Sequence, residues 1–300
     1  MRSDRSPSEV EGRGSTPLTN HTPFIVTLRH LLFPTYHQAK RMSDTIQIQH
    51  VGSVALLRLN RPQVYNSFNR EMALALQSAL DNAAANKDIR CIVITGNGKA
   101  FCAGQDLAEV TGPNPPGFKT ILGEHYNPII EKIRNIAKPV VAAVNGVAAG
   151  AGANIALACD VVIATESASF IQAFSKIGLV PDSGGTFFLP RLIGFAKASA
   201  IMMTGEKISA TDAERWGMIY KCVADDQFEE TITRLAQELS LMPTHALGLT
   251  KAALNASMNN TLEQQLQLEE QYQIEAGGTN DYSEGVTAFM EKRKAVFIGR

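Results

Sequence analysis

The sequence predicts an α/β fold followed by an all-helical C-terminal part. Two patterns carry that reading. Between about residues 45 and 190, short β-branched apolar runs alternate with amphipathic helical stretches, the signature of stacked βα units around a parallel sheet. Beyond about residue 190 the periodicity is wholly helical and the strands are expected to stop. The composition allows a large core, since 45% of the 300 residues are hydrophobic.

Taken in order, "TIQIQH" alternates, "VG" turns and "SVALLRLN" returns, which predicts a hairpin. "RPQVYNSFN" is a loop whose last residue, Asn69, can cap the helix "REMALALQSALDNAAAN". Met72, Leu76, Leu80 and Ala83 share one face of that helix. "CIVITG" is short and apolar throughout, as a buried parallel strand should be. "NGKAFCAGQDL" is a glycine-bearing loop after it, and "TGPNPPGF" (111–118) an irregular surface segment. A helix around "YNPIIEKIRNI" ends before Pro139. "PVVAAVNG" reads as a strand, "VAAGAGANIALAC" as a tight turn into a helix, and "DVVIAT" as a strand again. Five helical segments follow residue 190, and "YSEGVTAFMEKRKAVF" is read as a final helix. Trp216, the sole tryptophan, is expected to pack in the core.

Composition excludes several functions. Lys and Arg total 28 against 29 Asp and Glu, so no nucleic acid or anionic membrane is expected as main partner. No helix carries a comb of lysines that would suit RNA. The four cysteines, 91, 102, 159 and 222, lack CxxC spacing, which argues against a zinc site or disulfide framework and fits a reducing, cytoplasmic setting. Cys91 and Cys222 read as buried small hydrophobes. No apolar run approaches a membrane span. Residues 1–41 are rich in Ser, Thr, Pro and Arg without a sustained apolar period, and read as a disordered extension; Met42 is the natural start of the folded unit. The division expected is 1–41 extension, 42–190 α/β core and 191–300 helical region.

Two loops and one carboxylate stand out. "AFCAGQDL" and "NGVAAGAGANIAL" each follow an apolar strand and place small residues at the turn, where backbone N–H groups can approach a ligand closely. N–H groups converging from two such loops would cradle an oxyanion. Neither loop matches a dinucleotide or phosphate-loop fingerprint. Downstream, "GLVPDSGGT" sets Asp182 between a proline and two glycines. An Asx turn is the commoner fate of such a residue; the apolar flanks "FSKIGLV" and "TFFL" would instead raise its pKa and suit it to proton transfer.

In order and spacing, "AFCAGQDL", "VNGVAAGAGANIALACD" and "FSKIGLVPDSGGTFFLPRLIG" resemble the crotonase (enoyl-CoA hydratase/isomerase) superfamily. The likeness runs from about residue 45 to the end. It implies a spiral of ββα units with a C-terminal helical trimerisation region, homotrimers or dimers of trimers, and acyl-CoA thioester substrates. No cofactor or metal is implied, coenzyme A being part of the substrate.

Matched motif to motif, the two oxyanion-hole donors fall on the backbone N–H groups of Gln105 and Ala151. The two glutamates that hydratases of the family require fall on Asn154 and Phe174, so syn-hydration is not expected. Asp182 is left as the catalytic base. Asn66, Ser67, Ala103, Asp106, Gly150, Asn154, Phe174 and Lys292 are the expected substrate or coenzyme A positions, with Lys292 placed on the last helix to meet a phosphate. Asp106 also has a local role, fixing its loop, and Asp160 is expected to be structural.

The activity implied is acyl-CoA isomerisation, foremost of ring-epoxidised phenylacetyl-CoA to its oxepin. A Δ3,Δ2-enoyl-CoA isomerase or an enoyl-CoA hydratase of fatty-acid oxidation is the alternative. A non-catalytic RNA- or partner-binding member is the weaker one. Phe174, Phe187 and Phe188 would favour a flat acyl group if they line the pocket.

Overall fold

The structure, a computed structural model, describes residues 44–300; the extension expected over 1–41 lies outside them. Strands β1 (Ile46–Val51) and β2 (Val54–Leu59) form the hairpin, with Ile46 opposite Leu59 and Val51 opposite Val54. Asn69 caps α1 (Arg70–Ala85) by accepting the Met72 N–H at 3.0 Å, a contact worth about 1 kcal/mol. The chain then winds in repeating turns of one long strand, one short strand and a helix. These are β3 (Cys91–Gly96), β4 (Ala100–Cys102), α2 (Leu107–Val110), α3 (Phe118–Thr120) and α4 (Asn127–Asn135); then β5 (Val140–Val144), β6 (Val147–Ala149) and α5 (Ala151–Leu157); then β7 (Val161–Thr165) and β8 (Ser169–Ile171). The helices α6 (Gly185–Ile193) and α7 (Phe195–Thr204) lead to β9 (Lys207–Ser209), α8 (Ala210–Arg215) and β10 (Lys221–Val223). The chain closes with α9 (Phe228–Leu241), α10 (Thr244–Ser257), α11 (Leu262–Gly277) and α12 (Asn280–Met290).

The long strands and the short β10 build a sheet of order β1-β2-β3-β5-β7-β10, parallel except for the hairpin, and the other short ones a second sheet, β4-β6-β8-β9. Strand alternation divides the core between the two faces of the first sheet. Ala55, Leu57, Ile92, Ile94, Val140 and Ala142 face α1, α4 and the second sheet. Val54, Leu56, Cys91, Val93, Val141 and Ala143 face Phe228, Ile232 and Ala236 of α9. Being covered on both sides, these stretches of strand are apolar on both faces. Trp216 is half-buried against the core under the Lys197 ammonium, 4.7 Å from its ring.

Five expectations change. The stretches read as a loop and as a tight turn include short strands, β4 and β6, that pair in the second sheet. Strands do not stop near residue 190: β9 pairs antiparallel with β8, and β10 extends the first sheet beside β7. Three residues are too few to display a period, so only pairing reveals them. The helix around "YNPIIEKIRNI" starts earlier, at Phe118, and passes through a π turn at Ile121–Tyr126. The last helix ends at Met290, and Lys292 lies beyond it at φ +53 rather than on a helical face. Cys222 is half-buried, while the Cys91, Cys102 and Cys159 thiols are buried and pushed up to about 12 by desolvation.

Candidate active site

The two small-residue loops meet because the strands before them are neighbours. β4 and β6 pair in parallel, so their C-terminal ends deliver residues 103–106 and 149–151 side by side, the usual ligand position in parallel sheets. Phe68 forms a bridge alongside Gln105: its N–H donates to the Gly104 carbonyl at 2.7 Å, and its carbonyl accepts from the Asp106 N–H at 2.8 Å. Alternation then turns the Gln105 N–H to the opposite side. Neither that N–H nor that of Ala151 has an acceptor among the described residues.

The loops approach closely only because residue 104 is glycine. At φ +94, a Cβ there would stand 3.0 Å from the Ala149 carbonyl oxygen and 3.6 Å from the Ala151 nitrogen. Gly150, at φ +54, starts α5 with its N–H on the Ile171 carbonyl, 2.8 Å. Phe174 packs where a Gly150 side chain would point. Two unused N–H groups in this setting can hold a developing oxyanion.

The Gln105 side chain is held as well. Its Oε1 accepts from the Tyr126 hydroxyl at 3.0 Å, and its Nε2 donates to Glu109 at 2.7 Å. Tyr126 is buried edge-to-face on Phe68 and comes from the π turn, a local irregularity frequent at functional sites. Burial, with the nearby Cys102 and Asp182, pushes its phenol well above the usual range.

Asp182 opens a tight turn. The Gly185 N–H closes onto its carbonyl at 2.9 Å, and both central residues have positive φ, Ser183 at +51 and Gly184 at +76, as a mirror-image turn requires. Burial raises the Asp182 pKa above the ordinary carboxylate value; the Ser183 hydroxyl, 2.9 Å from Oδ1, and the residue's own N–H pull it back in part. From α5, Asn154 Nδ2 donates to the Asp182 carbonyl at 2.8 Å, and Gln172 Nε2 donates to Asn154 Oδ1 at 2.7 Å. Asp182 and the first turn of α5 are thereby tied together.

The other expected residues sit as follows. Asn66 is fully buried at φ +56; its side chain accepts the Arg61 N–H and donates to the Asn97 and Ala100 carbonyls. Ser67 is buried, with its hydroxyl on the Val64 carbonyl. The side chains of both therefore serve the loop's own structure. Ala103 donates to the Tyr65 carbonyl at 3.0 Å. Asp106 caps α2 and pairs with Arg61 at 2.7 Å, and Arg61 also holds the Ser67 carbonyl. Asp160 pairs with Arg134 and Lys251 and accepts the Val140 N–H.

Lys292 stands apart, its N–H bonded to Phe289 at the end of α12. Phe187 lies under the Arg191 guanidinium, and Phe188 packs against the core beside Phe187. His245 pairs with Glu275, and His125 is buried. Arg61, Glu109, Tyr126, Gln172 and Ser183 were not singled out from the sequence. Tyr126 and Gln172 meet their partners 18 or more residues away, and Arg61 meets Asp106 across 45, beyond the reach of any local pattern. Among the described residues no group of three or more His, Cys, Asp or Glu could hold a metal ion, and no helix is long and apolar enough to cross a membrane.

Comparison with known proteins places the chain in a family. Residues 49–300 match the family model described as enoyl-CoA hydratase/isomerase. The chain is 47% identical over 258 residues to a 1,2-epoxyphenylacetyl-CoA isomerase of Escherichia coli K12, covering 84% of this chain and 98% of that one. It is 35% identical to a trans-2-decenoyl-[acyl-carrier-protein] isomerase of Streptococcus mutans, covering 83% and 96%. Among solved structures, an enoyl-CoA hydratase of Bacillus anthracis superposes with a TM-score of 0.80 at 33% identity, covering 85% and 100%.

Proposed function

Because the chain belongs to the enoyl-CoA hydratase/isomerase family, we propose that it isomerises an acyl-CoA thioester with Asp182 as its acid/base group. The carrying observation is that Asp182 is tied to the helix that opens with Ala151, while positions 154 and 174 hold groups that cannot exchange a proton. The thioester carbonyl would sit between the Gln105 and Ala151 N–H groups. Asp182 takes the C2 proton, the charge passes to the carbonyl oxygen where those donors stabilise it, and the same carboxyl returns the proton at another carbon. Nothing is gained or lost, which is isomerisation.

The substrate favoured is ring 1,2-epoxyphenylacetyl-CoA, opened to the oxepin, the reading that the similarity to the E. coli isomerase supports. The Δ3 to Δ2 shift of an enoyl thioester uses the same proton shuttle and is the second reading, supported by the likeness to the S. mutans isomerase. The apolar residues Val286, Phe289 and Met290 exposed on α12 suit a homotrimer or dimer of trimers. Turnover of the ring-epoxide thioester beside 3-enoyl and 2-enoyl thioesters tests the proposal. Fast isomerisation of the epoxide supports it; preferential hydration of the 2-enoyl thioester overturns it.

A further inference from the structure

Position 154, which the family resemblance matches to a hydratase glutamate, carries an amide with both ends engaged. Asn154 is completely buried. Its Nδ2 donates 2.8 Å to the Asp182 carbonyl, and its Oδ1 accepts 2.7 Å from Gln172 Nε2. The orientation of both amides follows from the end of the chain. A peptide carbonyl only accepts, so the atom facing it is nitrogen; Asn154 then turns oxygen toward Gln172, which must answer with its NH₂.

Residue 185 shows that the approach is built in. A Cβ there would lie 2.5 Å from Asn154 Nδ2, so only glycine lets the amide reach the turn. The carbonyl it reaches belongs to a turn with a serine at φ +51, a conformation that a non-glycine residue adopts only when its surroundings impose it. A buried amide with no access to solvent is poorly placed to touch a substrate.

We infer that Asn154, oriented by Gln172, is a positioning residue that aims the Asp182 carboxylate by holding its peptide carbonyl. The inference rests on Asp182 being the acid/base group, so its test is a double-mutant cycle that separates the two. Turnover of an acyl-CoA that the wild-type protein isomerises is measured for Asn154→Ala, Asp182→Asn and the double variant, with folding checked by circular dichroism.

Asn154→Ala should lower kcat roughly 10- to 100-fold, the scale of a small misplacement of a catalytic group, while KM changes little. In the Asp182→Asn background the same substitution should cost nothing further, because it acts only through that carboxylate. Should Asn154→Ala not fold, Gln172→Leu, which leaves Asn154 in place without its orienting partner, enters the same cycle with the same expected pattern. Equal losses in both backgrounds, or a raised KM with kcat intact, overturn the positioning role while leaving Asp182 as the base. If Asp182→Asn turns over at the wild-type rate, the acid/base reading falls and this inference with it.

Discussion

The Ser183 hydroxyl donates to Asp182 Oδ1 at 2.9 Å from a residue held at φ +51. A serine in that region costs roughly 1 kcal/mol relative to glycine, and it brings a donor that favours the ionised carboxylate against the burial that disfavours it. The acid limb of kcat/KM should therefore lie above the ordinary carboxylate range. Ser183→Ala should move it to higher pH. Ser183→Gly should move it the same way while melting at a higher temperature, which separates the hydrogen bond from the strain. An unmoved limb in both variants would leave Ser183 no part in tuning Asp182.

Asp182→Asn keeps the size of the side chain and removes the base. Turnover should drop about 10²- to 10⁴-fold, with KM far less affected because the carbonyl is held by backbone N–H groups. Stability should move the other way. The folded pKa is raised, so the group's favourable contribution is complete below its unfolded pKa and is lost as pH rises through the folded one. At neutral pH the buried charge is a cost, and the Asn variant should melt higher than wild type, the gap closing on acidification. The control is Asp106→Asn, which leaves Arg61 with its side chain only 15% exposed and without its carboxylate. It should cost roughly 1–3 kcal/mol and raise KM more than it lowers kcat.

Crotonyl-CoA should bind yet hydrate far more slowly than an isomerisable thioester reacts, since Asn154 and Phe174 cannot activate water. Substituting glutamate at both positions tests the assignment only in part: Phe174 is 6% exposed, and a carboxylate there risks burial without a partner. A wild-type hydration rate comparable with isomerisation would refute the division of roles.

Gly104→Ala should disturb both oxyanion donors at once. The new methyl meets the Ala149 carbonyl at 3.0 Å, and the backbone stays at φ +94 only under strain. A displacement approaching 1 Å between the Gln105 and Ala151 N–H groups costs on the order of 10²-fold in rate. Loss of kcat/KM in a protein that still folds is the expected result; full activity would place the donors elsewhere.

The sequence by itself determined the strand–helix alternation, the hairpin, the Asn69 cap and the positions where glycine and Asp182 must turn the chain. Those features depend on local periodicity and on backbone preferences that each residue carries with it. It did not reveal β4, β6, β8, β9 or β10, whose three residues each have no period and form strands only because a neighbouring strand edge accepts them. Nor did it reveal that α9 closes the far face of the main sheet, or where the last helix ends. Around the candidate site, Gln105, Ala151 and Asp182 were expected from motifs. Their supports were not: Tyr126 reaches Gln105 across 21 residues, Gln172 reaches Asn154 across 18, and Asn154 reaches Asp182 across 28. Hydrogen bonds made by side chains that distant from their partners leave no pattern in the chain. They are decided only when packing brings the partners within about 3 Å of each other.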